Sequence, residues 1–286
     1  MNYRHAFHAG NFADVIKHVV LVRILLHLRG KPAAFRVIDT HAGAGLYDLA
    51  GPEASRSREW LGGIERLHSH PSMHRSLGGA AGDLLAPYLD AVASFNPAGR
   101  LSVYPGSPAL ARAFLRSQDR LIACELEPNA SALLARHLAG DRRIKAIAID
   151  GWTALSAYVP PPERRGLVLI DPPFEATGDF TRLARGLEGA HRKWPGGSYL
   201  LWHPIKGRHE SDALARRLAR AGIPKILRAE LCIASPHADG PLTSCALIMV
   251  NPPWTLPDEL AVLLPALAAT LSDAGTHRLD WLAGET

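Results

Sequence analysis

Four short, largely apolar strand-like runs, each closed by a carboxylate, divide the chain: Ala34–Ile38 before Asp39, Leu121–Cys124 before Glu125, Ile144–Ile149 before Asp150, and Leu167–Ile170 before Asp171. Runs this short and β-prone, bounded by turn residues, read as buried parallel strands. Between them apolar residues return at spacings of three and four, over Ala109–Leu115 and Asn129–Leu138, as in helices packed on one face. The same period opens the chain. Phe12, Val15, Val19, Val22 and Leu26 predict an amphipathic helix with Asn11 as its N-cap, ended by Gly30 and Pro32. Beyond Asp171 the pattern gives helices over Asp179–Trp194, Glu210–Ala221 and Asp258–Leu271, and a strand over Ser198–His203. Ile226–Ala234 and Ser244–Val250, joined by turn-forming residues, predict a hairpin. The alternation of strand and helix places the chain in the α/β class, as a Rossmann-like sheet with an antiparallel last strand.

The spacing of the acids locates an insertion. Asp150 follows Glu125 by 25 positions and Asp171 follows Asp150 by 21, one strand-helix-strand unit each. Glu125, however, follows Asp39 by 86 positions, where about 20 are expected. Residues 50–104, with helical patterns at Ser57–His68 and Gly82–Phe95, therefore predict a small helical lobe set into one domain spanning 1–286. Tyr104-Pro-Gly-Ser107-Pro returns the chain to the core, with Ser107 at an N-cap position on the same rim.

Parallel strands put all their carboxyl ends on one edge of a sheet, where ligands of open α/β folds bind. Asp39 runs into Thr-His41-Ala-Gly43-Ala-Gly45, whose glycines let the backbone approach a ligand where side chains would collide. No third glycine completes a dinucleotide fingerprint. This loop resembles the cofactor loop of S-adenosylmethionine-dependent methyltransferases. In that setting Glu125 is placed to hold ribose hydroxyls, Asp150 the adenine amine of the cofactor, and Asp171 the amine that is modified. Asp171-Pro172-Pro173-Phe174 is a stiff loop carrying a carboxylate, exposed carbonyls and an aromatic face. Asp171 and the Pro172 carbonyl can accept both hydrogens of an exocyclic amine, and Phe174 can stack on its ring. Asn251-Pro-Pro-Trp254 matches the same pattern, but its strand is the antiparallel member of the hairpin, so it is expected on the opposite edge.

A formal net charge of +5, carried mostly by arginine, favours an anionic partner. Three scattered cysteines exclude a disulfide framework, and no apolar run is long enough to span a bilayer. The chain reads as cytoplasmic and not membrane-bound. Residues 1–11 mix Tyr3, Arg4, His5, Phe7 and His8 and read as a substrate-binding arm, while Lys17 and His18 lie beside the apolar stripe of the helix that follows. His5, His8, His18 and His41 raise a metallohydrolase reading, but they lack a close-spaced ligand pair, and no metal is expected.

Taken together, Tyr3-Arg-His, Phe7-His-Ala-Gly-Asn, Lys17-His18, Asp39-Thr-His-Ala-Gly-Ala-Gly, Tyr104-Pro-Gly-Ser-Pro, Asp150-Gly151, Leu-Ile-Asp-Pro-Pro and Asn251-Pro-Pro-Trp resemble the RlmJ family from end to end. The resemblance implies S-adenosylmethionine-dependent methylation of N6 of an adenine, adenine 2030, in 23S ribosomal RNA. It implies a cofactor held by His18, His41, Ser107, Glu125, Asp150 and Gly151, to which the loop residues Asp39, Gly43 and Gly45 and the neighbouring Lys17 are added here. It makes Asp171 the catalytic acceptor, with Pro172, Pro173 and Phe174 around the target base. Tyr3 is implied to touch the RNA, with Arg4 and His5 beside it. The partner expected is 23S RNA before ribosome assembly is complete, and the enzyme a monomer. Phe174 departs from the tyrosine common in such loops, losing a phenolic contact and keeping the stacking face. A DNA adenine methyltransferase would use the same loop and is the competing reading.

Overall fold

The computed structural model describes residues 4–68, 79–237 and 240–284, so Tyr3 lies outside the described residues. In chain order, helix α1 (Phe12–Arg29) leads into strand β1 (Arg36–Asp39). Strand β2 (Leu46–Asp48) and strand β3 (Val103–Pro105) then form a separate antiparallel pair. Between them lie α2 (Pro52–Ser57), a 3-10 turn at Glu59–Gly62, α3 (Ile64–His68) and α4 (Ala80–Ser94). The core then alternates as α5 (Ser107–Phe114), β4 (Arg120–Glu125), α6 (Pro128–His137), β5 (Ile144–Ala148), α7 (Gly151–Tyr158), β6 (Gly166–Ile170), α8 (Asp179–Lys193), β7 (Ser198–Pro204) and α9 (Arg208–Ala219). It closes with β8 (Ile226–Cys232), β9 (Ser244–Val250), α10 (Leu256–Leu271) and β10 (Thr276–Ala283).

The main sheet has eight strands in the order β10-β8-β9-β7-β6-β1-β4-β5. The pairs β7-β6, β6-β1, β1-β4 and β4-β5 are all parallel, and β9 runs antiparallel between β7 and β8. This is the class I methyltransferase sheet, with the antiparallel strand that the hairpin required. Every residue of β6, β8 and β9 is buried; β6 and β9 read as nearly unbroken apolar runs, whereas β8 carries Arg228 and Glu230, buried as a pair.

Two expectations are corrected, and one element is added. Helix α1 is capped by Asn11, whose side chain accepts from the Ala13 and Asp14 amides, but it is not amphipathic. It is buried on nearly every side, packed against α4, α5, α10 and β9, and Asp14, Lys17 and His18 are buried with it. A helix enclosed all round has no polar face to show. The continuous helix over Ser57–His68 is broken by Arg58 at φ 54° and by Gly63. Gly63 is required: a Cβ there would sit 2.0 Å from the Gly10 carbonyl, the acceptor for the Ile64 amide. Finally, β10 adds an edge strand on β8 that the sequence did not announce. Among the described residues no helix is long and apolar enough to cross a membrane.

Candidate active site at the carboxyl edge of the sheet

The turn after β1 is fixed from both neighbouring strands. The Thr40 amide and hydroxyl donate to the Leu169 carbonyl, and the Ala42 amide donates to Cys124. Gly43 and Gly45 stand at φ 61° and 82°, a region where a side chain is costly. The Gly43 amide donates to Glu125 Oε2 at 2.9 Å and the Glu127 amide to Oε1 at 2.7 Å, so the Glu125 carboxylate ties the glycine turn to the end of β4. His41 lies with Nδ1 2.8 Å from the Thr40 hydroxyl and its ring edge-on to Trp152. Burial lowers its pKa to about 4, so it is neutral at physiological pH.

Asp39 is 1% exposed. Its Oδ2 accepts from the Ser107 hydroxyl at 2.6 Å, while Oδ1 is buried without a hydrogen-bond partner. Burial lifts this carboxyl to about 7, against the pull of Ser107 and of Lys17. Asp150 caps α7 through the Thr153 amide at 2.9 Å and faces Arg182 at 3.6 Å. Gly151 is sterically obligatory: a Cβ there would lie 2.4 Å from the Thr40 carbonyl and 2.6 Å from the His41 ring. We expect Gly151→Ala to push the Thr40-His41 turn out of place, cost about 1–3 kcal/mol of stability, and lower cofactor affinity at least tenfold by calorimetry. An affinity within twofold of wild type would show that the close approach is dispensable.

Asp171 stands one step beyond the end of β6, and β6 pairs with β1 in the register Asp39↔Leu169, so the two acids are neighbours on the rim. Its Oδ2 lies 2.5 Å from Lys17 Nζ, and the same ammonium lies 2.7 Å from Asp14 Oδ1. Asp14 Oδ2 takes the Gly10 amide at 2.9 Å and His5 Nε2 at 3.0 Å. A buried chain of charge thus runs from the N-terminal arm to the Asp-Pro-Pro-Phe loop. Burial alone would neutralise these groups. The charges of His5 and Lys17 instead hold Asp14 well below its usual range, and those of Asp14 and Asp171 hold Lys17 well above its own.

Phe174 has φ 51°, an unusual conformation for an aromatic residue, and its ring packs on Phe180 and Trp202 at 5.0 and 5.8 Å between centroids. Pro172 is buried, and Pro173 and Phe174 are half-buried. The structure therefore brings together Asp39, Gly43, Ser107, Glu125, Asp150, Gly151 and Asp171 at one edge, joined by Lys17 from α1. It directs Lys17 to the two aspartates. It sets His18 deeper, with Nδ1 2.7 Å from the Tyr104 hydroxyl and Nε2 4.0 Å from Asp14. Arg4 pairs with Glu53 at 3.4 Å on the exposed side of α2. The residue missed in the sequence is Asp14. An acid three positions before a lysine, inside an otherwise apolar helix, was the available signal.

The histidines do not converge. His5 meets Asp14, His8 meets Glu59, His18 meets Tyr104 and His41 meets Thr40. Among the described residues no group of three or more His, Cys, Asp or Glu could hold a metal ion. Asn251 is at the other edge: Val250 pairs with Tyr199 near the start of β7, and the Asn251 amide donates to the Pro195 and Gly197 carbonyls.

The sequence profile of a family described as ribosomal RNA large subunit methyltransferase D, RlmJ, matches residues 32–283. This chain belongs to the RlmJ family. It is 38% identical over 287 positions to ribosomal RNA large subunit methyltransferase J of Escherichia coli, and 35% identical over 288 positions to that of Haemophilus influenzae, covering each chain completely. A crystal structure of a Legionella pneumophila protein superposes with a TM-score of 0.85 at 32% identity, covering 96% of this chain and 98% of that one.

The cofactor of an RlmJ-family enzyme is S-adenosylmethionine, and the rim fits it. A buried carboxylate oxygen with no partner, at Asp39, suits an ammonium group. Gly43 and Gly45 leave backbone open to close approach, and Glu125 supplies acceptors for hydroxyls. Because Asp39 sits near 7 without ligand, it is largely protonated at pH 6.5, and a cation against Oδ1 favours its ionised form. We expect cofactor binding at that pH to release a fraction of a proton, seen as a binding enthalpy that varies with the ionisation enthalpy of the buffer. The release should vanish in Asp39→Asn. A buffer-independent enthalpy for the wild type would remove Asp39 from the ammonium site.

Proposed function

We propose that this RlmJ-family chain methylates N6 of an adenine in 23S ribosomal RNA, with Asp171 as the residue that engages the reacting amine. The observation that carries the reading is Asp171 itself: the acid of an Asp-Pro-Pro-Phe loop, adjacent to the glycine turn across the β1-β6 register and anchored by Lys17. When bound, S-adenosylmethionine supplies an electrophilic methyl group. The chain must supply the orientation of the amine, because the amine lone pair of adenine is delocalised into the ring.

Asp171 Oδ1, which accepts no hydrogen bond from a described residue, is assigned to one N–H, and the Pro172 carbonyl to the other. Lys17 on Oδ2 fixes the plane of the carboxylate and compensates its charge. A carboxylate is too weak a base to strip a neutral adenine amine outright. Asp171 accordingly takes the proton as the methyl transfers or after it, and positioning supplies much of the rate. Phe174, backed by Phe180 and Trp202, offers an aromatic face to a base that has left its stack. The arm carrying Arg4 and His5, and the described helices of the lobe at residues 50–104, are assigned to the RNA side, and Tyr3, outside the described residues, is assigned to the RNA with them. Glu53 and Glu59 of that lobe already hold Arg4, His8 and Asn11.

The test is methyl transfer from labelled S-adenosylmethionine to protein-free 23S RNA lacking the modification, beside assembled large subunits and duplex DNA. Nuclease digestion should release labelled N6-methyladenosine from the free RNA. Label on another position overturns the N6 assignment. Label on duplex DNA alone overturns the RNA substrate.

A further inference from the structure

Asn251-Pro-Pro-Trp254 takes no part in this reaction, yet it is as firmly built as the loop that does. Five residue steps along β6 lead from Gly166, at this edge, to Asp171, a span of about 17 Å. The Asn251 side chain donates to Pro195 and Gly197 at 2.7 and 2.8 Å, the Ser198 hydroxyl donates to the Asn251 carbonyl at 2.9 Å, and the Leu256 amide donates to Pro253 at 2.9 Å. These bonds hold a stiff Pro-Pro turn whose product is an indole in open solvent. Trp254 is 81% exposed, the most exposed large apolar side chain among the described residues.

Beside it is a cavity of about 190 Å³ whose lining includes His27, Lys31, Arg165, Asn251 and Trp254, and no carboxylate. Arg165 is held in place by donating to the Leu28 and Ala33 carbonyls. Lys31 is exposed and forms no ion pair among the described residues. Burial lowers the pKa of His27, and Arg165 and Lys31 lower it further, while Glu259, itself paired with Arg23, acts the other way. Arg164, also exposed, directly precedes Arg165 in the chain.

We infer that this edge is a second RNA contact, in which an unpaired nucleotide stacks its base on Trp254 and sets its phosphate against Lys31 and Arg165. The chemistry favours RNA over a protein. A flat aromatic face accepts any base, a held arginine and an exposed lysine on a lining without a carboxylate suit phosphate, and a preorganised turn loses little freedom on binding. The inference rests on the RNA reading above for the source of that nucleotide. An RNA long enough to reach both edges would gain from the second contact through effective concentration.

A single-stranded oligouridylate is the probe, because it carries no adenine for the Asp171 loop. Its binding is followed by fluorescence anisotropy with wild type, Trp254→Ala, Trp254→Phe, Lys31→Ala and Asp171→Asn. Trp254→Ala should weaken binding about tenfold and Trp254→Phe far less. Lys31→Ala should reduce the slope of log affinity against log salt by about 0.7. Asp171→Asn should bind as the wild type does. On 23S RNA, Trp254→Ala should raise KM several-fold at unchanged kcat. Oligouridylate binding by Trp254→Ala equal to that of the wild type overturns the inference, whether or not RNA is methylated. Loss of oligouridylate binding with Trp254→Ala, in a protein that methylates no RNA, upholds this contact while the reading of the Asp171 site fails.

Discussion

Asp171→Ala is expected to reduce methyl transfer to 23S RNA by about a thousandfold or more, in the range seen when a group that meets the transition state is removed. Labelled-methyl incorporation under single turnover measures it. The fall should be in kcat with little change in cofactor affinity, because Asp39, Glu125 and Gly151 remain in place. Asp171→Asn retains the size of the side chain but replaces one carboxylate oxygen by an amide donor, and should be nearly as inactive. Lys17 retains Asp14 at 2.7 Å in either variant, so the fold should survive. Asn251→Ala should leave the methyl-transfer step intact, since its side chain serves only the Pro195 and Gly197 carbonyls at the other edge. A rate for Asp171→Ala within tenfold of wild type would move the catalytic loop elsewhere.

The rim was legible because its short strands are mostly apolar, even half-exposed edge strand β5 with its Lys145, and their carboxyl ends share an edge. Spacing aligns Glu125, Asp150 and Asp171, and Asp39 joins them through its strand and glycine turn once residues 50–104 are set aside as an insertion. Strand direction likewise separates Asp171 from Asn251 in the sequence. What could not be read was long-range pairing. Lys17 and Asp171 are 154 positions apart, and nothing local to either announces the contact. An apolar helix interrupted by Asp14 and Lys17 looks like a helix with a wet face, and only the enclosing elements show that both are buried. The left-handed conformation of Phe174 is set by tertiary packing on Phe180 and Trp202, where sequence favours a more ordinary backbone. Edge strand β10 carries charged and exposed residues through most of its length, so it shows neither a buried run nor a clean alternation.

Lys17→Met separates what the buried ammonium does for the fold from what it does for the reaction. The substitution keeps length and removes charge, leaving Asp14, 2% exposed, beside fewer compensating groups. Breaking one side of a buried pair costs about 3–5 kcal/mol, which in a chain of this size lowers the melting temperature by roughly 10 °C. Replacing both partners by uncharged groups, as in Asp14→Asn with Lys17→Met, should recover much of that loss, because the most deeply buried carboxylate goes with its ammonium, while Asp171, 15% exposed at the rim, keeps contact with solvent. Activity should not recover, since Asp171 has lost the cation that fixes its plane. The acid limb distinguishes the variants further. The carboxyl of Asp14 is held well below its usual 3.8 in the folded protein. Its contribution to stability is therefore complete above pH 3.8 and is lost as pH falls through the lower folded value. Melting temperature against pH should show this loss in the wild type and not in the double variant. Recovery of both stability and methyl transfer in the double variant would reduce Lys17 to a packing role, whereas recovery of stability alone identifies it as the residue that positions Asp171.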